Sequence, residues 1–329
     1  MTENPTPTNE SAGRVSTSDD IEVGTYLEIA QADRVTGDNP PIAERMKTIV
    51  ILDFGSQYSR LIARRVRESN TYCEIITHDA GNEILNEQDV IGVILSGGPN
   101  SVYADGAPMA PTWVFDAGVP ILGICYGMQL LAHQLGGKVE SGTEREYGHA
   151  VVHKDGPDNI LFRGLDTEVP VWMSHGDRVT ELPPGFQTLA SSESSPAAVI
   201  ANDTGIYGIQ FHPEVVHTRD GARLLENFVR NICKCRGDWT AGNFAEQSVQ
   251  RLREQIGDGR VICALSGGVD SAVAAALVHK AVGSQLTCIF VDNGLMRREE
   301  PQRVVETFRK HLEIDLIHVD AVDRFLKVL

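Results

Sequence analysis

The chain has 329 residues, of which 42% are hydrophobic and 22% charged, so it is long enough for two or three globular domains and is not disordered as a whole. Its net charge of −16 argues against sequence-independent binding to nucleic acid and against binding to an anionic membrane. We find no apolar run long enough to span a membrane, no secretory signal and no disulfide framework among the six cysteines. These features predict a reduced, cytoplasmic protein that binds neither nucleic acid nor membrane.

Residues 1–46 differ in composition from the rest of the chain. They are rich in Thr, Ser, Asn, Pro and Asp, and they lack a sustained apolar period. Nine acidic and three basic residues give this segment a charge of −6. Such a composition cannot bury enough apolar surface to fold alone, so we expect a disordered acidic tail.

Strand-like apolar runs and helix-like segments alternate from Lys47 onward. This alternation predicts an α/β domain over residues 47–235 with a doubly wound parallel sheet. Between residues 139 and 210 the pattern changes to shorter β-like pieces with many turn residues. The predicted strands are 48–52, 72–76, 90–95 and 119–125, and the predicted helices are 56–66 with Ser56 as N-cap, 126–135 and 224–233.

A second unit of the same kind follows residues 236–247, which contain glycines and polar residues and are predicted to be a linker. The alternation of strand-like and helix-like segments in this unit predicts a second doubly wound parallel-sheet domain over residues 248–329. We expect this domain to be truncated, because the chain stops in an apolar stretch without a cap and three strands leave an uncovered edge. The predicted strands are 261–265, 286–291 and 314–319, and the predicted helices are 271–282 and 301–311.

The segment Gly123-Ile124-Cys125-Tyr126-Gly127 has the form G-x-C-x-G at a predicted strand-to-helix junction. This is the pattern of a nucleophile elbow, in which glycines two residues to each side permit a strained turn. A thiol at a helix N-terminus is favoured as a thiolate. The pattern therefore predicts that Cys125 is a nucleophile; the alternative is a buried structural cysteine.

A thiolate nucleophile needs a base and a group that orients the base. His212 closes the apolar stretch 206–211, and Glu214 follows it across the stiff Pro213. In an extended chain, residues i and i+2 face the same way, so the carboxylate can hold the imidazole in one tautomer. The motif predicts a Cys-His-Glu triad, and the alternative is a surface ion pair in a turn.

Acyl transfer also requires hydrogen-bond donors for the oxyanion. The segment Ser96-Gly97-Gly98-Pro99 follows the predicted strand 90–95, so we expect it beside the elbow at the carboxyl edge of the sheet. The backbone N–H groups of Gly98 and Tyr126 are the predicted donors. The alternative is a plain Gly-Pro turn.

Together with Asp53-Phe54-Gly55-Ser56-Gln57, these motifs resemble the class I, or triad-type, glutamine amidotransferases over residues 47 to about 233. The resemblance implies that Cys125 attacks the side-chain amide of glutamine and that His212 protonates the departing ammonia. Water then releases glutamate. The resemblance also implies glutamine-binding residues, with Asp177 pairing with the substrate ammonium. These residues are Gln129, Ser174, His175 and Asp177.

A second motif, Ser266-Gly267-Gly268-Val269-Asp270-Ser271, joins a predicted strand to a predicted helix. Its glycines let backbone N–H groups approach a phosphate, and it lacks the lysine of a Walker A loop. It resembles the pyrophosphate loop of the ATP pyrophosphatases. Asp270 is the predicted Mg²⁺ partner, because Mg²⁺ prefers carboxylate and phosphate oxygens; its alternative role is an N-cap. The ATP-binding residues that the resemblance implies are Ser266, Gly267, Gly268, Val269, Asp270, Ser271, Ala272 and, through its backbone, Val291.

The order of the two motifs resembles the glutamine-hydrolysing GMP synthase family. The resemblance implies that ATP adenylates xanthosine monophosphate (XMP) and that ammonia displaces AMP to give GMP, in an enzyme that is a homodimer at full length. The alternatives are a glutaminase that serves a different pyrophosphate-loop ligase and a glutaminase-only fragment. A non-catalytic relative would be expected to lose Cys125, His212 or the loop glycines, and the chain keeps all of them.

Overall fold

A computed structural model describes residues 47–155 and 159–329, and the predicted acidic tail, residues 1–46, lies outside them. Within the described residues the chain divides into two compact units, one ending at Thr240 and the other beginning at Ala241. The helix that opens the second unit takes up residues 241–247 of the predicted linker. Gly242 and Asn243 lie in its first turn, where backbone N–H groups need no intrahelical acceptor, so these residues do not prevent the helix from starting.

The elements of the two units are as follows. The first unit contains β1 (Lys47–Asp53), α1 (Ser59–Glu68), β2 (Tyr72–Thr77), α2 (Ile84–Glu87), β3 (Asp89–Leu95), α3 (Trp113–Asp116), β4 (Ile121–Ile124), α4 (Tyr126–Gln134), β5 (Lys138–Lys154), a 3₁₀ turn (Ile160–Phe162), β6 (Glu168–Glu181), β7 (Phe186–Ser191), β8 (Val199–Asn202), β9 (Ile206–Ile209) and α5 (Gly221–Glu226), which continues as a π-helical turn (Asn227–Ile232). The second unit contains α6 (Ala241–Ile256), β10 (Val261–Leu265), α7 (Val269–Val282), a 3₁₀ turn (Gly283–Gln285), β11 (Leu286–Asp292), α8 (Glu300–Glu306), its π-helical continuation (Thr307–His311), β12 (Asp315–Asp320) and α9 (Val322–Leu326).

A nine-stranded sheet forms the centre of the first unit, in the order β2-β1-β3-β4-β9-β8-β7-β5-β6. Strands β2, β1, β3, β4 and β9 are parallel, and the remaining pairs are antiparallel. Alternate residues of β1 enter different buried clusters: Ile49 and Ile51 lie in one, and Val50 and Leu52 in the other. Burial on both faces explains the continuous apolar run that predicted this strand. The predicted doubly wound α/β fold is confirmed.

The stretch 139–210 contains longer strands than the sequence predicts. Strand β5 has 17 residues and β6 has 14, and they pair along most of their length. Ser141 pairs with Asp177 and Glu146 with His175, so the intervening residues of β5 form a bulge opposite Gly176. The turn-forming residues here suggest breaks, but a bulge takes up extra residues without ending either strand.

The second unit has a parallel sheet in the order β10-β11-β12. Leu286, Cys288 and Phe290 of β11 are fully buried, whereas Val291 of β11 and Ile262 of β10 are 40% and 72% exposed. The described helices therefore bury mainly one face of this sheet. No helix within residues 47–155 or 159–329 combines the length and apolarity needed to cross a membrane.

Candidate active site

Three sequence motifs meet where three neighbouring parallel strands end. Strand β3 leads into Ser96, β4 into Cys125, and β9 into the segment that contains His212. The carboxyl edge of a parallel sheet is where α/β folds place their ligand sites. The topology thus brings together residues that are up to 116 positions apart in the chain.

Cys125 occupies a strained turn between β4 and α4. Its φ of +52° and ψ of −103° are rare for a residue with a side chain. The Cys125 N–H donates to the carbonyl oxygen of Ile209 at 2.8 Å, which ties the turn to β9. A Cβ on Gly123 would lie 2.5 Å from the carbonyl group of Gly127, so the turn requires glycine there. These features match the predicted nucleophile elbow.

His212 and Glu214 form a buried pair beside the elbow. The distance from His212 Nδ1 to Glu214 Oε1 is 2.7 Å, and the two residues are 5% and 1% exposed. The His212 N–H donates to the carbonyl of Trp172, and the Thr218 hydroxyl donates to the carbonyl of His212. The pair is therefore buried and fixed by its neighbours, which rules out the alternative of a surface ion pair.

The electrostatics of this pair favour a charged imidazole. Burial lowers the pKa of His212, but hydrogen bonds with Cys125 and Glu214 and the charges of both outweigh burial and raise that pKa to about 10. The second carboxylate oxygen, Glu214 Oε2, is buried without a hydrogen-bond partner among the described residues. A negatively charged partner stabilises an imidazolium, so this pair favours the charged form of His212.

The predicted oxyanion donors lie against the first turn of α4. Tyr126 is the first residue of that helix, where the backbone N–H lacks an intrahelical acceptor. The Gly127 N–H donates to the carbonyl of Ser96 at 3.1 Å, which holds the loop after β3 against the helix. A Cβ on Gly98 would lie 2.9 Å from the carbonyl oxygen of Phe54 and 3.1 Å from the Tyr126 ring, so this close approach requires glycine.

Three of the predicted glutamine-binding residues are linked to the thiol or to one another by short contacts. Cys125 Sγ is 3.7 Å from the carbonyl oxygen of Ser174. The side-chain amide of Gln129, which is 3% exposed, donates to the carbonyl oxygen of Asp177 at 2.8 Å. The cluster therefore joins the elbow helix to strand β6.

His175 is held by protein partners on both sides of its ring. One ring nitrogen lies 3.1 Å from Glu146 Oε2 and the other 3.1 Å from the carbonyl oxygen of Asp177, and the residue is 7% exposed. Both nitrogens thus have protein partners, and the contact of His175 with glutamine stays a prediction. Burial alone raises the pKa of Glu146, but hydrogen bonds with His175, Ser195 and Ser192 outweigh it and lower that pKa. The ring supports the backbone of the site.

Sequence reasoning missed two residues of this cluster. Gln210, 1% exposed, lies with its Nε2 at 3.9 Å from Cys125 Sγ and its Oε1 at 3.4 Å from Gln129 Nε2. Its position two residues before His212 in an extended segment is the signal that predicts a shared face. Glu146 gave no such signal, because its pairing with His175 depends on the register of two long strands.

The second predicted site lies at the end of β10. Gly267 has a φ of +85°, and Gly268 is the N-cap of α7. The Ser271 hydroxyl donates to the Gly268 carbonyl at 3.1 Å and accepts from the Ser266 N–H at 3.2 Å. These bonds close the loop at the N-terminus of a 14-residue helix, a geometry suited to phosphate.

The remaining residues predicted for this site lie close by in sequence or at the adjacent strand end. The N-cap of α7 is Gly268, so Asp270 does not take its alternative role as the N-cap. Asp270 is exposed in the first turn of this helix, and Ala272 is buried. Val291 lies one residue before the end of β11, the neighbour of β10. Both strands therefore end at the edge that carries the loop.

Comparison with known families and proteins agrees with this geometry. Residues 50–232 match the glutamine amidotransferase class-I family, and residues 259–328 match the tRNA methyl transferase HUP domain. A Thermoplasma acidophilum protein described as a subunit of GMP synthase has a solved structure with a TM-score of 0.51 and 32% identity. The match covers 58% of this chain and 96% of that one.

Curated relatives named GMP synthase (glutamine-hydrolyzing) match most of the chain. That of Dehalococcoides mccartyi is 56% identical over 86% of this chain and 53% of its own length. Those of Symbiobacterium thermophilum and Brucella melitensis are 54% and 56% identical over 88% and 86% of this chain, and each match covers 56% of the relative. The chain thus spans about half the length of these relatives.

The family match covers more than half of the chain and includes the elbow, the oxyanion loop and the His212–Glu214 pair. The resemblance that these motifs suggest is thereby confirmed: the chain belongs to the class I glutamine amidotransferase family.

Proposed function

We propose that the first unit hydrolyses glutamine to glutamate and ammonia with Cys125, His212 and Glu214 as a catalytic triad. The observation that carries this proposal is the strained elbow that sets Cys125 beside the buried His212–Glu214 pair. A nucleophile, a base and an orienting group are the three parts that covalent acyl transfer requires.

In the proposed reaction, the Cys125 thiolate attacks the side-chain amide carbon of glutamine. The N–H groups of Gly98 and Tyr126 stabilise the oxyanion that forms. The C–N bond then breaks, and His212 gives a proton to the departing ammonia. A water molecule, deprotonated by His212, attacks the thioester, so that the C–S bond breaks, glutamate leaves and the thiolate returns.

In this proposal, residues around the thiol bind the glutamine substrate. Asp177 pairs with the α-ammonium of glutamine, and Gln129 and Ser174 complete the contacts. His175 acts through the backbone of Asp177, since its ring nitrogens are occupied. This assignment places the reacting amide at Cys125 and the amino-acid end toward β6.

We further propose that the second unit binds ATP with Mg²⁺ through the loop Ser266–Ser271, with Ala272 and Val291 as flanking contacts. Backbone N–H groups at the start of α7 suit the phosphates. Asp270 is exposed and so is available as a single carboxylate ligand, which fits Mg²⁺ because this ion takes its other ligands from phosphates and water. Bound Mg²⁺ would neutralise phosphate charge.

The order of the two sites and the names of the relatives support a role in GMP formation. We propose that residues 47–235 supply ammonia, and that residues 248–329 contribute to adenylation of XMP, from which ammonia displaces AMP in a cytoplasmic homodimer. The alternative of a glutaminase that serves another ligase makes the same use of the first unit. The distinction lies in the nucleotide that becomes aminated.

The first test is hydrolysis of glutamine labelled with ¹⁵N at the side-chain amide. We expect equal amounts of glutamate and ¹⁵N-ammonia, and no release of the unlabelled α-amino nitrogen. If labelled ammonia does not form although Cys125 reacts with iodoacetamide, the glutaminase assignment is refuted.

Glu214→Gln tests the orienting role of the carboxylate. We expect glutamine turnover to fall by about 10²- to 10⁴-fold, which is less than the loss caused by removing the nucleophile. Because Glu214 raises the pKa of His212, its loss lowers that pKa, and the imidazolium needed to protonate ammonia disappears at a lower pH. The basic limb of the kcat profile should therefore move to lower pH.

The matched control for this experiment is Glu226→Gln, because the Glu226 side chain on α5 is 42% exposed and pairs with Arg223. This control should retain the wild-type profile. An unchanged rate and pH profile in Glu214→Gln would mean that the carboxylate has no part in the reaction.

Asp270→Asn tests the metal ligand of the second unit. We expect the affinity for ATP to fall about tenfold in the presence of Mg²⁺, the size of one lost contact to a charged group, and to change little without Mg²⁺. Titration calorimetry at two Mg²⁺ concentrations measures both values. Asp258→Asn, at another exposed aspartate, is the control, and equal losses with and without Mg²⁺ would contradict the assignment.

A further inference from the structure

Asp177 is held from three directions. Its carbonyl oxygen accepts the amide N–H of Gln129 at 2.8 Å and lies 3.1 Å from His175 Nδ1. Its carboxylate oxygen Oδ1 accepts the hydroxyl of Tyr103 at 2.9 Å. The first two contacts fix the main chain, whereas the contact with Tyr103 acts on the carboxylate itself. No hydrogen bond to Oδ2 is found in the part of the chain that the structure describes.

Tyr103 sits on a well-anchored loop between β3 and α3. Val102, its neighbour, is fully buried. The Tyr126 hydroxyl donates to the carbonyl of Pro108 at 2.7 Å, and the side-chain amide of Gln134 exchanges two hydrogen bonds of 3.0 Å with the backbone of Ala110. These contacts attach the loop to α4, the helix that begins after the nucleophile. The phenol is therefore presented by a fixed support although the residue is 48% exposed.

The chemistry of the contact suits recognition of an ammonium. A phenol is a neutral donor, so it orients the carboxylate without cancelling its charge. A lysine or arginine in the same place would neutralise Asp177 and repel a cationic group. With Oδ1 engaged by Tyr103, Oδ2 is the oxygen left for a second donor.

We propose that Tyr103 is a specificity-determining residue that aims Asp177 Oδ2 at the α-ammonium of the substrate. The inference rests on the proposed glutaminase function and extends it. Tyr103 makes the site select amides of α-amino acids over amides of the same length that lack the amino group. It acts through Asp177 and has no part in the chemical step at Cys125.

The test compares reagents that alkylate Cys125. The diazoketone 6-diazo-5-oxo-L-norleucine carries the α-ammonium and α-carboxylate of glutamine, and 6-diazo-5-oxohexanoate lacks only the ammonium. Iodoacetamide lacks both groups and reports the reactivity of the thiol. The rate of modification is read at the Cys125 peptide by mass spectrometry, which separates it from the other five cysteines.

In Tyr103→Phe we expect the rate with the amino diazoketone to fall about tenfold, the size of one lost hydrogen bond to a charged group. The rates with 6-diazo-5-oxohexanoate and iodoacetamide should stay within about twofold of wild type. Tyr147→Phe, at an exposed tyrosine on β5, is the matched control and should change none of the three rates.

Two results would overturn the inference: equal slowing with both diazoketones, which indicates a merely structural role, or no slowing with either. A wild-type protein that reacts with iodoacetamide but is not modified by the amino diazoketone would instead refute the glutamine site and the proposed function. The two failures are therefore distinguishable.

Discussion

Replacement of Cys125 by alanine is expected to abolish glutamine hydrolysis while leaving the first unit folded. Nucleophile and base act as one unit, so loss of the thiol should lower turnover by at least about 10⁴-fold. Alanine keeps the Cβ and therefore makes the same demand on the strained backbone, whose φ is +52°. The Cys125 side chain is also small, and its removal leaves the pairing of β4 with β3 and β9 intact.

Three of the other five cysteines are poorly suited to substitute for Cys125. Burial raises the pKa of Cys73 to about 11 and that of Cys288 to about 12, so both thiols are protonated near neutral pH. Burial also raises the pKa of Cys233. These cysteines are buried and behave as apolar core residues.

Glutamate release at saturating glutamine measures the effect, and circular dichroism confirms the fold. Cys263→Ala is the control, because Cys263 is a partly exposed cysteine in the second unit. Its glutaminase rate should equal that of wild type. A Cys125→Ala protein that keeps its activity within a few-fold would contradict the triad.

The parts of the site that were predictable from the sequence are those set by short segments. The elbow needs five consecutive residues at a strand-to-helix junction, and His212 and Glu214 are separated by one proline. Parallel strands buried on both faces gave apolar runs, and their carboxyl ends meet at one edge by topology. Local chemistry and one general rule of α/β sheets were thus sufficient to predict that Cys125, His212 and Glu214 lie close together.

The parts that were missed depend on contacts between distant segments. The pairing of His175 with Glu146 follows from the register of β5 and β6, and the sequence does not display register across a bulge. The predicted helix start at Ser56 is also wrong, because α1 begins at Ser59. The carboxylate of Asp53 accepts hydrogen bonds from the N–H groups of Gly55 and Ser56 and from the Ser59 hydroxyl, so the turn after β1 is longer.

The contact of Tyr103 with Asp177 also joins distant segments, and the sequence does not predict it. Nothing in the segment around it marks a functional residue, and its partner Asp177 lies 74 residues away. The contact exists because Val102 and the hydrogen bonds from α4 fix the loop in one place. A substrate-recognition role of this kind becomes visible when loop anchoring and strand register are both known.

Gly127→Ala is expected to destabilise the first unit by about 3 kcal/mol, the upper part of the range for overpacking a core. In an ordinary helix interior this substitution stabilises by about 1 kcal/mol, because alanine has the higher helix propensity. Here the sign should be reversed. A Cβ on Gly127 would overlap the carbonyl oxygen of Leu95 and lie 2.8 Å from its carbonyl carbon. Those atoms belong to Leu95, which is fully buried at the end of β3, so they cannot move aside.

Urea denaturation of the Gly127→Ala protein gives the free energy of unfolding directly. The control is Gly106→Ala, because Gly106 has a φ of +75° and a Cβ there would meet nothing within 4 Å. The free energy of unfolding of Gly106→Ala should fall by only about 1–2 kcal/mol, the cost of a left-handed backbone conformation for a residue with a Cβ. If Gly127→Ala lowers the free energy of unfolding by less than this control does, the contact between α4 and β3 can accommodate a methyl group. In that case the elbow would not need glycine at its second position, and the close packing that presents Cys125 would have another cause.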